Sequence, residues 1–193
     1  MNEPGLLLSL GWLGFTLRRR LGLATSASPA PDNSAQAWPE VWVVSPGGVG
    51  TTALIHHIAK FRRTNAPDDS DGRKHLPKPP RLRAGDATRF VFVSGDVDQI
   101  VQSLARRGWL TAQAANLGVV LGVLTRGAVQ RRSLVRAVKR QAQAWQTGAP
   151  GPVIYLDYAE LWDAGPQLAG FLGIGDPAFQ ASFPRRRART SRP

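Results

Sequence analysis

The chain contains no cysteine, so neither a disulfide framework nor a thiolate metal site is open to it. Acid is also scarce: 13 Asp and Glu stand against 25 Lys and Arg, for a net charge of +12. Such an excess calls for an anionic partner, be it a polyanionic small ligand, a nucleic acid or an anionic membrane. Histidine occurs three times. His56 and His57 are adjacent and would point about 100° apart on a helix, and His75 is alone, so no metal site is expected. The N-terminal apolar run, residues 6–17, would make a helix of about 18 Å against a membrane core of about 30 Å, and no stable membrane span is expected. Its arginines, Arg18, Arg19 and Arg20, follow the apolar run, whereas a secretory signal carries its charge before it. A poorly ordered extension and a cytoplasmic protein are the expectation. The lack of acid between Glu3 and Asp32 keeps an organelle-targeting segment as the alternative.

What is present suits one domain with a real core plus tails: 193 residues, 42% of them apolar. An Ala/Ser/Pro-rich linker closes an extension over 1–37, a folded domain is expected over 38–176, and a basic tail over 177–193. Short β-branched and aromatic runs predict buried strands near 41–45, 89–94 and 152–156. Helical spacing predicts helices from 51 to about 63, over 97–107 and over 127–146. Residues 109–124 read as a helix followed by an irregular apolar piece. Strands alternating with helices imply an α/β fold, a three-layer domain with a mainly parallel central sheet, because parallel strands need helical crossovers. Residues 64–88 form a long polar connection whose four prolines exclude helix over most of it. Asp157, with Glu160 three residues on, is expected to cap the helix after the third strand.

The first strand runs into Ser45-Pro46-Gly47-Gly48-Val49-Gly50-Thr51-Thr52. Strand, glycine-rich turn and helix make a phosphate-binding arrangement. Glycines let the backbone approach an anion, and the unpaired N–H groups of the first helical turn point at it. A glycine-rich connection with no ligand is the plain alternative. The nucleotide-triphosphatase signature needs a lysine before the hydroxyl residue, and here Gly50 meets Thr51 directly.

The loop is similar to that of the sulfotransferases that use 3′-phosphoadenosine 5′-phosphosulfate, whose loop ends in Gly-Thr-Thr; Gly50, Thr51 and Thr52 match it. Arg73-Lys74-His75-Leu76-Pro77 resembles the family's Lys-x-His-Leu-Pro segment, and Ser103 falls eight residues after Gly95, where the family carries a serine on the following helix. Phe183-Pro184-Arg185-Arg186-Arg187 is weakly similar to a late Phe-x-Arg-Lys-Gly segment. The resemblance covers about residues 41–174. It implies a P-loop-type fold and a sulfonate donor, 3′-phosphoadenosine 5′-phosphosulfate, held by Pro46, Gly47, Gly48, Val49, Gly50, Thr51 and Thr52. It further implies that Ser103, Arg185 and Arg186 contact the 3′-phosphate. His75 would be the general base toward a hydroxyl-bearing small molecule or sugar, with Arg73 and Lys74 offsetting charge on the sulfonate.

Two positions depart from the family. Gly48 stands where its loop lysine stands, and Gly95 where an arginine binds the 3′-phosphate. Losing two cations against so anionic a nucleotide is costly, since charge-assisted bonds to phosphate are the strong ones. Two other classes therefore stay open. One is a deviant nucleotide triphosphatase, using Gly47-Gly48-Val49-Gly50 and a magnesium-binding end of the third strand. The other is a basic domain without catalysis that binds RNA or anionic surfaces through residues 127–146 and the tail. Few aromatics interleave with the basic run, so a nucleic-acid partner is not the expectation.

Overall fold

Three runs dominated by β-branched and aromatic residues pair side by side: β1 (Val41–Val44), β2 (Arg89–Ser94) and β3 (Val153–Asp157). The computed structural model describes residues 39–82 and 87–186. The extension expected over 1–37 and the tail beyond Arg186 lie outside them. All pairings are parallel in the order β1-β2-β3, with Val43 opposite Val91 and Val91 opposite Ile154. The fold is therefore α/β, a parallel sheet flanked by helices.

Side chains alternate across the sheet, as the two-residue period of a strand requires. One face presents Val41, Val43, Val91, Val93, Ile154 and Leu156 to the main core. Helix α1 (Thr51–Ile58) adds Leu54, Ile55 and Ile58 there, and α2 (Val97–Arg106) adds Ile100, Val101 and Leu104. The other face presents Trp42, Val44, Phe90 and Phe92 to Trp145 and Leu76. Helix α5 (Gly127–Gly148) serves both, with Leu134 and Val138 in the main core and Trp145 in the second cluster. The expected inward positions Leu134, Val138 and Trp145 are all buried.

The long connection after α1 is tied to the outer edge of β1. Asn65, fully buried, accepts the Val43 N–H on Oδ1 at 2.8 Å and donates Nδ2 to the Val43 carbonyl at 3.1 Å. A side-chain amide thus does the work of a neighbouring strand and satisfies an edge that would otherwise be open. The Val41 N–H donates to the Arg63 carbonyl, and the Ser45 N–H to the Lys74 carbonyl, each at 3.0 Å. These bonds bring residues 63–76 alongside the strand and its following turn.

Several elements differ from expectation. Helix α1 stops at Ile58 rather than near Arg63, because the chain must turn back to run beside β1; Lys60 and Phe61 already make three-residue bonds to His57 and Ile58. Residues 109–124 form two short helices, α3 (Leu110–Asn116) and α4 (Val120–Leu124), separated by Gly118 at φ 68°. The expected capping box does not form. Asp157 accepts the Ala159 N–H at 2.8 Å in a turn, followed by a single 3₁₀ turn (Leu161–Asp163) that no side chain caps. Helix α6 (Gly165–Leu172) and helix α7 (Pro177–Ala181) follow. Packing continues past residue 176: Phe179 is fully buried in the main core, and Phe183 packs beside it.

Candidate anion-binding site

The carboxyl ends of the three strands lie together, and the glycine turn occupies the end of β1. Gly47, Gly48 and Gly50 have φ of 93°, 75° and 72°, a region in which side-chain-bearing residues are strained. The turn is folded around one hydroxyl. Ser45, fully buried, accepts the Gly47 N–H at 3.1 Å and the Thr51 hydroxyl at 2.6 Å. Thr51 is therefore committed to the shape of the turn. Thr52 is exposed, and its hydroxyl receives Lys74 Nζ at 2.6 Å. Gly50 precedes α1 and makes no side-chain cap, so the positive end of the helix is open to an anion.

Three separate stretches meet this turn. His75 brings Cε1 to 3.4 Å from where a Gly47 Cβ would stand. Ser103, on α2, brings Oγ to 3.5 Å from the corresponding point at Gly48. Trp162 covers Gly50 so closely that a Cβ there would stand 3.0 Å from its ring. Val49 is buried beneath the turn, as is Pro46.

His75 Nδ1 lies 2.9 Å from the Ser45 carbonyl. A carbonyl can only accept, so Nδ1 carries the proton and Nε2 keeps the lone pair of the neutral ring. Burial lowers the His75 pKa from its ordinary value, while Asp69 and the Ser45 carbonyl pull it up and Lys74 lowers it further. The net effect is a neutral imidazole at neutral pH. Asp69 has the left-handed φ of 63° and accepts the Lys74 N–H at 2.8 Å. Burial raises its pKa, against the attraction of His75 and Lys74. Lys74 donates Nζ also to the Pro67 carbonyl at 2.7 Å, which leaves one of its three N–H groups. Burial lowers its pKa, opposed by Asp69 and Asp68.

The remaining expected site residues lie elsewhere or at a distance along the fold. Arg73 has its guanidinium 5.2 Å from the Trp42 ring centroid, and Lys74 meets the turn at Thr52. Arg185 and Arg186 are exposed just after Phe183, whose ring packs on His57. That anchor is near the far end of α1, roughly 9 Å along the helix axis from Thr51. Gly95 faces Tyr158, whose Cβ would be 3.1 Å from an added Cβ.

Five contributors escaped sequence reading. Ser45, Asp69 and Trp162 hold the turn and its histidine. Gln141 donates Nε2 to the Leu76 carbonyl at 2.7 Å and reaches the Ser45 carbonyl at 3.4 Å, which pins the His75 backbone region to α5. Gln113, on α3, is buried and brings Oε1 to 3.4 Å from the Gly47 Cβ point. Only Ser45, directly after a strand and before the glycines, carried a local signal.

Compared with protein-family models, with curated proteins and with solved structures, the chain matches none. Among the described residues, no helix is long and apolar enough to cross a membrane.

Proposed function

We propose that this is a P-loop-type, sulfotransferase-like domain that moves a sulfonate group from 3′-phosphoadenosine 5′-phosphosulfate to a hydroxyl on a small molecule or sugar. The observation that carries the reading is the meeting of Lys74, His75 and Ser103 at one glycine turn, from two stretches 28 residues apart in sequence. Lys74 brings to Thr52 a cation that Gly48 cannot supply. With Nδ1–H held by Ser45, Nε2 of His75 takes the acceptor's hydroxyl proton as its oxygen bonds to sulfur. The sulfur–phosphate oxygen bond breaks, and adenosine 3′,5′-bisphosphate leaves with the negative charge. The N–H groups of the turn, the Thr52 hydroxyl and the Lys74 ammonium offset that charge. A chain without cysteine suits the reducing cytoplasm, the compartment we propose.

A second reading rests on a different place. A groove of about 750 Å³ between α2 and α5 is lined by Arg131, Arg132, Arg136 and Lys139, with Asp98 its one carboxylate. Four cations along one groove favour a polyanion-binding surface. Thermal shifts separate the readings. A ligand at a hundred times its dissociation constant, bound only by the folded state, stabilises it by about 2.7 kcal/mol. Adenosine 3′,5′-bisphosphate is expected to give such a shift at a concentration where ATP with magnesium gives little. A shift with ATP alone favours a triphosphatase, and equal shifts with heparin, RNA and the bisphosphate favour the groove.

A further inference from the structure

Gln113 is 4% exposed, and among the described residues its side-chain Nε2 has no hydrogen-bond partner. An amide N–H without a partner in the interior is costly, and native folds retain few of them. The carboxamide does not sit in an apolar pocket. It packs against the glycine turn, with Oε1 and Cδ 3.4 and 3.5 Å from the Gly47 Cβ point, where His75 Cε1 also arrives at 3.4 Å. Two polar side chains, one from α3 and one from the long connection, thus converge on one corner of the turn. The oxygen has only a long contact, 3.4 Å, from Asn116 Nδ2. Little opposes a half-turn of the amide, because the terminal torsion of glutamine is broad and roughly two-fold. That rotation would set Nε2 toward Gly47.

We propose that the Gly47 corner is an oxyanion seat and that Gln113 donates its amide N–H to a non-bridging oxygen of a phosphate or sulfonate held there. The assignment deepens the sulfotransferase reading, on which its choice of sulfonate rests. A neutral donor at this corner complements the cation at Thr52. It also explains why a polar side chain occupies a helix position that packing alone would give to leucine or methionine.

Calorimetric titration of the full chain tests it, with adenosine 3′,5′-bisphosphate, ATP with magnesium, inorganic sulfate and inorganic phosphate as probes. Gln113→Leu is expected to melt at or above the parent temperature without ligand, since the orphaned amide is gone. Its affinity for whichever probe the parent binds is expected to fall about ten- to a hundred-fold, the size of a hydrogen bond to a charged group. Gln113→Glu is expected to bind more weakly still, because a carboxylate then faces the anion. Gln113→Met, of similar shape, replaces the leucine variant if that one fails to fold. Undiminished affinity in the leucine or methionine variant overturns the proposal. So does a loss of affinity matched by a lower ligand-free melting temperature, the mark of packing, and so does a parent that binds none of the four probes. A parent that binds ATP but not the bisphosphate sinks the sulfotransferase reading alone; the oxyanion seat then stands if Gln113→Leu weakens ATP.

Discussion

Helix α1 has a histidine beside each end, half-buried His75 at its start and buried His57 near its end, and the two surroundings differ in kind. At its start, His75 shares Ser45, Lys74 and Asp69 with the glycine turn, and one ring nitrogen is bonded to a fixed carbonyl. Near its end, His57 lies among Phe61, Phe179 and Phe183, with ring centroids 4.5–5.6 Å away, and among the described residues neither nitrogen has a hydrogen-bond partner. Burial lowers the pKa of both. Burial alone therefore yields a neutral imidazole and nothing more. A bonded Nδ1 adds what chemistry needs, a defined tautomer with its lone pair on a known nitrogen. His57 is a packing group that happens to titrate, whereas His75 has the fixed tautomer that the proposed base requires.

The largest effect that this contrast predicts is on turnover. His75→Ala should reduce sulfonate transfer roughly 10²–10⁴-fold while nucleotide affinity stays nearly the same. His57→Leu should leave transfer unchanged. Radiolabelled transfer from the donor to a panel of alcohols, phenols and sugars measures both. Because the His75 pKa lies below its ordinary value near 6.5, the parent should hold full activity down to that pH and lose it only at more acid values. Equal losses in the two variants would erase the distinction between base and packing group.

The two threonines sharpen the same contrast at smaller scale. Thr52 faces outward under Lys74, so Thr52→Ala should weaken bisphosphate binding about ten- to a hundred-fold, equivalent to roughly 1.5–3 kcal/mol, with little change in melting temperature. Thr51 spends its hydroxyl on Ser45 inside the turn. Thr51→Ala should cost about 1 kcal/mol of stability as well as affinity, since it leaves the Ser45 hydroxyl short of a partner. Calorimetry with parallel denaturation separates the two. Identical stability in both variants would mean that Ser45 does not hold the turn.

The strands were legible because each is a run of β-branched or aromatic residues bounded by proline, glycine or acid, and local composition decides such runs. The glycine turn and the start of α1 were legible for the same reason. Other features depend on contacts that no local pattern records. Lys74 reaches Thr52 across 22 residues because Asn65 and the backbone bonds of Arg63 and Lys74 tie the connection to the edge of β1 and its following turn. Gln113 looks like any polar helix residue until α3 packs on Gly47. Phe179 and Phe183 were hidden within an arginine-rich composition that reads as a tail, although their rings close over His57. Gly118 lies in an apolar stretch where one helix and two are not separable by spacing alone.

The smallest effect concerns the far end of α1. The unfolded chain protonates His57 near the ordinary value of 6.5, and the folded chain only at lower pH, since burial and the nearby Lys60 disfavour the cation. Between those two values the unfolded state binds more protons, so stability is full above about pH 6.5 and falls as the pH drops through the window. His75 acts in the same direction, and its part must be removed by comparison. His57→Leu keeps the His75 contribution and deletes the other. The variant should be about 1 kcal/mol more stable at pH 7.5, because two orphaned nitrogens are gone, less what the lost ring contacts contributed. Its advantage should widen at pH 5.5, where only the parent must accommodate a charge among three phenylalanines. Urea denaturation of both proteins at the two pH values measures the difference. An advantage that stays constant or shrinks toward pH 5.5 would show that His57 opens to water on protonation and does not act as a closed packing group.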